Sequence, residues 1–264
     1  MRSTFKLILI TVGMVFLNFI PLGAQIQESY TKEHYVLAKD TLKYRLLLPH
    51  NFDAKKQYPL ILFLHGAGER GSDNTKQLIH GSELFYKIGE SHPAIVLFPQ
   101  CPANDYWANA TVDRSTKPLS LSFPLESSPT KALTLVMGLV ETMMTKPYVN
   151  KDQVYVGGLS MGGMGTFEIL YRKPDVFAAA FAICGAGNPE ATETYAKTIP
   201  MWIFHGAKDD VVAPQESVNM VSGILKHGGT PNFSLFAKDN HNSWDSAFAK
   251  PELIPWLFSN SKSK

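Results

Sequence analysis

Long apolar runs without polar alternation recur along the chain, and segments with helical spacing separate them. These runs cover residues 59–64, 94–98, 154–156, 176–183, 201–204 and 233–236. A strand that is apolar at consecutive positions is covered on both of its faces, as the strands of a parallel sheet are. The pattern therefore predicts a central sheet that is mostly parallel.

The first strands and the helices complete the predicted architecture. Residues 35–38 and 42–48 flank the turn-like Lys39-Asp40-Thr41, which predicts a leading antiparallel hairpin. Strands that alternate with helices after such a hairpin predict an α/β protein with helices on both faces of the sheet. The irregular, proline-containing stretch 101–129 stands out as a long loop, and such loops are uncommon unless they are functional. The predicted helices cover residues 130–144, 163–171, 214–227 and 251–258.

The N-terminus has the pattern of an export signal. Arg2 and Lys6 precede the apolar residues 7–20, and Ala24 follows as a small residue of the kind that signal peptidases accept. The sequence therefore predicts a signal peptide over residues 1–24, a single domain over 25–264, and a secreted or periplasmic protein. The alternative is a retained membrane anchor, but an apolar run of about 14 residues is short for the roughly 20 that span a bilayer.

Composition and charge narrow the choice of partners. With 264 residues, of which 45% are hydrophobic, the chain is long enough for one domain with a sizeable core. Its formal net charge of +2 is small and its charges are interspersed, so no nucleic-acid partner is expected. Cys101 and Cys184 each follow a predicted strand. Because two cysteines do not make a disulfide framework, both are expected to be buried free thiols.

The segment Gly158-Leu159-Ser160-Met161-Gly162 stands between a predicted strand and a predicted helix. A serine framed in this way by glycines is typical of a nucleophile elbow, a sharp turn that pushes the hydroxyl clear of the backbone. The glycines are needed because a Cβ at either flank would collide with the neighbouring strand or helix. Ser160 is therefore the candidate nucleophile for an acyl transfer.

A serine hydroxyl needs a histidine to take its proton and a carboxylate to orient that histidine. After such an elbow the acid comes next along the chain and the histidine last, so the histidines before Ser160 are excluded. His205 has no acid before it at a strand end, and His227 lies at a predicted helix C-terminus. His241 lies in a polar loop just after the run 233–236, where catalytic residues of α/β proteins belong. His241 is therefore the predicted base.

The orienting acid has two candidates. Asp209 and Asp210 both follow the predicted strand 201–204, at the edge of the sheet where Ser160 is expected. Acidic residues beside His241 are too close to it in sequence to orient it from a separate strand. Spacing alone does not choose between Asp209 and Asp210.

Four motifs occur in a fixed order: Leu64-His65-Gly66-Ala67-Gly68-Glu69-Arg70-Gly71, Pro99-Gln100-Cys101-Pro102, Gly158-Leu159-Ser160-Met161-Gly162-Gly163 and His241-Asn242-Ser243-Trp244. With them the chain resembles the secreted α/β-hydrolase esterases grouped with polyhydroxybutyrate depolymerases, feruloyl esterases and acetylxylan esterases, and in particular the bacterial "predicted peptidase" branch. The resemblance implies the α/β-hydrolase fold. It also implies Asp209 as the acid, because the aspartate of the family's acid loop stands three residues after a glycine, here Gly206.

The oxyanion of an acyl transfer is stabilised by backbone N–H donors. One is expected from Met161, directly after Ser160 and at the start of a helix, and another from the loop after the strand 59–64. The resemblance implies Ala67 for that second donor. A phosphate-binding loop is the rival interpretation of Gly66-Ala67-Gly68, but no lysine-bearing phosphate motif accompanies it.

Two further features leave alternatives open. Trp107 lies in the long loop and either lines the substrate pocket or packs inside the protein. Glu69 and Arg70 either form an ion pair at the base of their loop or are exposed to solvent. No cluster of histidine, cysteine and acidic residues has the spacing of a metal site, so neither a metal nor another cofactor is expected.

Together these residues predict that 25–264 is the catalytic domain of a serine carboxylic ester hydrolase that works through an acyl-enzyme. The resemblance and the export signal favour an acyl ester of carbohydrate, of feruloyl or acetyl type, as the substrate. The alternatives are a serine peptidase that acts on short peptides and an inactive binding protein on the same scaffold. No stable membrane anchor is expected after signal cleavage, and the oligomeric state is left open.

Overall fold

A computed structural model describes residues 22–262 of the protein. Within that range the strands are β1 (Thr31–Leu37), β2 (Asp40–Leu47), β3 (Tyr58–Leu64), β4 (Ile95–Pro99), β5 (Thr111–Asp113), β6 (Ser120–Ser122), β7 (Val149–Leu159), β8 (Ala179–Ile183), β9 (Met201–Gly206) and β10 (Asn232–Phe236). Eight of them form one sheet in the order β1-β2-β4-β3-β7-β8-β9-β10. β2 pairs antiparallel with both β1 and β4, whereas all other neighbours in this sheet are parallel.

Helices cover both faces of this sheet. The α-helices are α1 (Leu22–Ser29), α2 (Ser82–Lys87), α3 (Lys131–Met144), α4 (Met161–Arg172), α5 (Pro214–Lys226), α6 (Trp244–Phe248) and α7 (Leu253–Phe258). Short 3-10 helices span Ala67–Glu69, Lys76–Leu78 and Pro189–Thr194. The α/β-hydrolase fold that the sequence predicts, with its leading hairpin, is thus confirmed.

Strand β3 shows why the apolar runs of the sequence are continuous. Leu60, Leu62 and Leu64 belong to the core on one face of the sheet, which α3, α4 and α5 cover. Ile61 and Phe63 belong to the core on the other face, to which α1, α2, α6 and α7 contribute. Because successive side chains of a strand point to opposite faces, a strand between two cores has to be apolar at every position.

The structure differs from the prediction in several short elements. Helices α2 and α6 were not expected, because five or six residues are too few to show a helical period. β7 begins at Val149, earlier than the run 154–156 indicates, because residues 150–153 are polar and partly or fully exposed. The long loop 101–129 contains the antiparallel ribbon of β5 and β6, which stands apart from the main sheet.

The parallel strands place the functional segments on one side of the sheet. Because these strands run in the same direction, the C-terminal ends of β3, β7, β9 and β10 lie along the same side of the sheet. The β5–β6 ribbon reaches this side as well, since the Leu119 N–H between its strands donates to the Val211 carbonyl at 2.9 Å. The loops that carry the candidate catalytic residues therefore meet above the sheet.

The predicted signal peptide lies largely outside the described residues, which begin at residue 22. Helix α1 spans the predicted cleavage position after Ala24, and its Ile26 packs into the core. In the described range 22–262, no helix is both long and apolar enough to cross a membrane. Cys101 and Cys184 are free and buried, as the sequence predicts.

Candidate active site

Ser160 stands at the turn between β7 and α4. Its backbone adopts φ +52° and ψ −117°, a conformation that is strained for a residue with a side chain. A Cβ on Gly158 would press against the backbone of Gly162, and a Cβ on Gly162 would collide with the Leu64 carbonyl oxygen. The glycines thus let the turn lie against the end of β3, as expected for a nucleophile elbow.

Replacing Gly162 by alanine is therefore expected to destabilise the protein by about 3 kcal/mol, because the clash is with backbone that cannot move aside. Gly68 offers a matched control, since a Cβ placed there meets nothing within 4 Å. Urea unfolding of Gly162→Ala and Gly68→Ala measures both effects. Equal stability of the two variants would contradict this account of the elbow.

Ser160, His241 and Asp209 form a continuous hydrogen-bonded path. The Ser160 hydroxyl donates to His241 Nε2 at 2.9 Å, and His241 Nδ1–H donates to Asp209 Oδ2 at 2.8 Å. The loop that carries His241 is held on the loop that carries Asp209, because the Ala207 and Lys208 N–H groups donate to the Phe236 and Asp239 carbonyls. The geometry brings together the three residues that the sequence predicts.

Asp209, and not Asp210, is the carboxylate that contacts His241. Asp209 is buried and its Oδ1 accepts hydrogen bonds from the N–H groups of Val211 and Val212, each at 2.9 Å. Asp210 is exposed, and its N–H donates to Asn240 Oδ1. The choice that spacing left open is thus decided by which carboxylate the loop turns inward.

His205 is a neighbour of the site that sequence reasoning missed. Its Nε2–H points at two acceptors, Asp209 Oδ2 at 3.1 Å and the Val212 carbonyl at 3.0 Å. The Ser217 hydroxyl donates to its Nδ1 at 2.7 Å. The buried ring therefore gives Asp209 a second N–H donor. The signal available in the sequence was the position of His205 four residues before Asp209, at the end of the strand that precedes it.

The donors around Asp209 set its protonation. Burial alone raises the pKa of this carboxyl, but hydrogen bonds from His205, His241 and the Val211 N–H outweigh burial and hold the pKa well below its ordinary value. A lowered pKa in the folded state stabilises the fold above the unfolded-state pKa of about 3.9, and this contribution is lost as the pH falls from there towards the folded-state value. Asp209 is therefore ionised at neutral pH.

A pH-dependent difference in stability follows for Asp209→Asn. Between pH 6 and pH 3 the unfolding free energy of the wild type is expected to fall by about 1 kcal/mol more than that of the variant, because the variant has no carboxylate at this position that could be protonated. Urea unfolding at both pH values measures it, with Asp210→Asn as the control that follows the wild type. If Asp209→Asn and the wild type lose equal amounts, the carboxylate is not held by these donors in the folded state.

The loop after β3 lies against the elbow. Ala67 opens the 3-10 helix Ala67–Glu69, while Met161 opens α4. The first N–H groups of a helix have no partner within that helix. Both predicted oxyanion donors thus stand where a helix leaves an N–H available.

Trp107 packs inside the protein and does not line the cleft, which is the second of the two alternatives that the sequence leaves open. The side chain is fully buried, and its Nε1–H donates to the His65 carbonyl at 3.0 Å. His65 Nε2 in turn accepts from the Cys101 N–H at 3.0 Å, and burial lowers the pKa of His65 to about 4, so the ring is neutral. Trp107 and His65 therefore support the loop after β3 through buried hydrogen bonds.

A cleft of about 260 Å³ opens at the serine. One side is mostly apolar and includes Tyr106, Leu119, Met164, Val211 and Val212. The other residues along the cleft are Gly66, Ala67, Gly68, Glu69, His80, Arg114, Leu159, Ser160, His241 and Trp244. Most of the side chains that surround Ser160 were not identified from the sequence, because they come from loops that only the fold brings together.

One group among residues 22–262 has metal-ligand geometry, namely Cys184, Asp209 and His241. A cysteine binds metal as the thiolate. Complete burial raises the pKa of the Cys184 thiol far above its ordinary value, so the sulfur stays protonated. Asp209 and His241 are also already engaged with each other. The donor set does not fit a resident metal ion.

Several known proteins are similar to this chain. Among them, a solved thermostable esterase is 31% identical with a TM-score of 0.79, and the match covers 90% of this chain and 64% of that one. A bifunctional acetylxylan esterase/xylanase from Neocallimastix patriciarum is 31% identical over 98 residues, which are 37% of this chain and 14% of that protein. Lysophospholipase-like protein 1 from Mus musculus is 26% identical over 192 residues, 69% of this chain and 79% of that protein.

The chain thus spans less than two thirds of the thermostable esterase and a small part of the acetylxylan esterase/xylanase. The resemblance to esterases that the motifs indicate is confirmed by these similarities. The model of the esterase family matches residues 37–244, which include Ser160, Asp209 and His241. The chain belongs to the esterase family and has the α/β-hydrolase fold of its structural neighbours.

Proposed function

We propose that the protein hydrolyses carboxylic esters, with Ser160 as nucleophile, His241 as general base and acid, and Asp209 as the orienting acid. The observation that carries the proposal is the hydrogen-bonded path from the Ser160 hydroxyl through His241 to the buried Asp209 carboxylate, open to a cleft at its serine end. A path of this kind lets the histidine take the serine proton while the carboxylate fixes its tautomer.

The reaction then has two halves. Ser160 Oγ attacks the ester carbonyl carbon while His241 Nε2 takes the hydroxyl proton. The tetrahedral intermediate collapses to an acyl-enzyme when the bond to the alcohol oxygen breaks and His241 returns the proton to that oxygen. Water then attacks the acyl-enzyme while His241 Nε2 takes a proton from the water, and His241 returns this proton to Ser160 Oγ as the carboxylic acid leaves.

We assign the oxyanion to the backbone N–H groups of Met161 and Ala67. Each begins a helix beside Ser160, and the start of α4 adds the positive end of a helix dipole. Donors aimed at the developing charge stabilise the transition state more than the ground state, and one such donor contributes roughly 10²- to 10³-fold in kcat. Neither side chain takes part, which is why an alanine suffices at position 67.

For the substrate we propose an acyl ester of a carbohydrate. The similarity to an acetylxylan esterase/xylanase and the export pattern at the N-terminus support this class. The cleft volume of about 260 Å³ accommodates an acyl group of either acetyl or feruloyl type. The apolar side formed by Met164, Val211 and Val212 would receive that group.

A panel of substrates tests this function. The purified protein is expected to hydrolyse 4-nitrophenyl acetate, to act on acetylated xylo-oligosaccharides or on methyl ferulate, and to leave short peptides intact. A fluorophosphonate probe is expected to label Ser160. Peptide cleavage without ester turnover would identify a serine peptidase instead, whereas no labelling and no turnover would favour a binding protein on this scaffold.

We also propose that the protein is exported, because Arg2 and Lys6 precede an apolar segment that ends near Ala24. N-terminal sequencing of the protein recovered from the producing cells tests this directly. A first residue at Gln25 supports export, and an N-terminus at Met1 in the cytoplasmic fraction contradicts it.

A further inference from the structure

Glu69 places a carboxylate in the wall of the catalytic cleft without a donor to neutralise it. Only 9% of the residue is exposed, although it lines the cleft. In the part of the chain that the structure describes, the carboxylate accepts no hydrogen bond, and its ion-pair contact is His80 Nε2 at 3.9 Å. Because a buried carboxylate is costly unless donors surround it, this geometry is typical of a group that awaits a donor from a ligand.

The neighbouring arginine does not supply that donor. Arg70 Nε–H donates to the Ala67 carbonyl at 3.0 Å, and its Nη1 donates to the Asp105 carbonyl at 3.2 Å. The guanidinium also lies 5.6 Å from the centre of the Tyr106 ring. Of the two alternatives for Glu69 and Arg70, neither holds, since the arginine braces the loop and the glutamate faces the cleft.

Glu69 lies close to the nucleophile. A Cβ on Gly66 would stand 3.0 Å from Glu69 Oε2 and 3.7 Å from Ser160 Cβ, so the carboxylate and the serine flank the same short piece of backbone. A bare negative charge at this place opposes the oxyanion that forms at the N–H groups nearby. A hydrogen-bond donor on the substrate would satisfy the carboxylate and reduce that opposition.

The carboxylate lies on the side of the cleft where the alcohol of the ester leaves. His241 has to return a proton to the departing alcohol oxygen, so the alcohol occupies the His241 side. The Trp244 ring meets the His241 ring edge-on with centroids 5.6 Å apart, and the His80 ring lies 5.0 Å from Trp244. His80 connects this row of rings to Glu69.

The alcohol side continues into a second groove. This groove of about 340 Å³ shares His80 and Trp244 with the catalytic cleft and contains Glu83, Lys87 and Asp245 along its length. Its mixture of the aromatic rings of Trp244 and Phe248 with several charged side chains suits a ligand with many hydroxyl groups. The groove gives the alcohol portion of a large substrate room beyond the scissile bond.

We propose that Glu69 and His80 form an alcohol subsite, in which Glu69 accepts a hydrogen bond from a hydroxyl next to the ester oxygen and the adjoining groove holds the rest of a polyhydroxylated alcohol. The inference rests on the proposed ester hydrolysis and names the chemistry of the leaving group. A sugar and a glycerol both carry such a vicinal hydroxyl, so the test has an arm for each.

The test compares esters that differ only in their hydroxyls. One pair is propyl acetate and glycerol 1-acetate; the other is cyclohexyl acetate and a monoacetylated methyl xyloside. Acetate release gives kcat/KM for wild type, Glu69→Leu and Glu69→Gln. The wild type is expected to favour the hydroxylated member of at least one pair, and Glu69→Leu is expected to lower kcat/KM for that member roughly 10- to 100-fold. For the other member of that pair the same variant is expected to keep or raise kcat/KM, because no hydrogen bond to a hydroxyl is lost and the charge that opposes the oxyanion is removed.

Two control variants distinguish a role of Glu69 in binding the alcohol from a role in supporting the structure of its loop. Glu69→Gln keeps an acceptor oxygen and is expected to retain part of the preference, and Glu190→Leu, which removes an exposed acid paired with Lys226, is expected to change neither member. An equal loss for both members in Glu69→Leu, or an unchanged ratio, overturns the subsite. A wild type that hydrolyses no ester, 4-nitrophenyl acetate included, overturns the ester hydrolase itself.

Discussion

Ser160→Ala is expected to lower kcat for 4-nitrophenyl acetate by about 10⁵- to 10⁶-fold. The reason is that no acyl-enzyme forms without the hydroxyl that donates to His241 Nε2. What activity is left comes from binding and from the oxyanion donors, which the substitution does not touch. Initial rates of ester hydrolysis, with the wild type diluted to a comparable signal, measure the ratio.

The same variant is expected to fold normally. Ser160 precedes α4, but its side chain makes no capping hydrogen bond to that helix, so alanine removes no support. Thermal unfolding should therefore give a Tm close to that of the wild type. Labelling of this variant by a fluorophosphonate is expected to disappear together with turnover. Activity near the wild-type level in a folded Ser160→Ala protein would refute the assignment of Ser160 as nucleophile.

Asp209→Asn is expected to lower kcat by about 10⁴-fold. The neutral amide does not stabilise the imidazolium that His241 becomes, and its NH2 group has no place among donors that already point at both carboxylate oxygens. The histidine then loses the tautomer in which Nε2 can accept the serine proton. The loss is measured as kcat at a pH where the wild type is fully active.

The adjacent residue provides a matched control for this change. Asp210→Asn removes the same charge one position along the chain, but from an exposed side chain. Its kcat is expected to stay within about twofold of the wild type, because surface charges in water interact weakly. Similar losses in both variants would mean that the charge of the loop, rather than the contact between Asp209 and His241, supports the reaction.

Much of the fold could be predicted from the sequence because buried parallel strands have a recognisable local pattern of apolar residues. A strand such as β3, buried between two cores, is apolar at consecutive positions, and this pattern needs no knowledge of its neighbours. The elbow leaves a similar record around Ser160, where the close approach of β3 to α4 demands glycine. Chain order then limited the base to the histidines after the elbow.

The remainder of the site depends on contacts between distant segments. Glu69, His80 and Trp244 lie in three separate stretches of chain, and nothing local indicates that they share one wall of the cleft. Trp107 was ambiguous for a related reason, since an aromatic residue in a loop can face either inward or outward until the loop is placed. Burial of one carboxylate rather than the next is decided by tertiary hydrogen bonds.

Strand β10 has a consequence for how activity depends on folding. Among residues 22–262 it is the last strand of the sheet and pairs only with β9, and its residues are exposed or half-buried. Edge elements of this kind open more easily than a buried centre such as β3. Ser160 follows β7 in the middle of the sheet, but His241 follows the edge strand β10. Turnover therefore depends on the stability of one edge of the sheet, and mild denaturant is expected to abolish ester hydrolysis while most of the sheet is still folded.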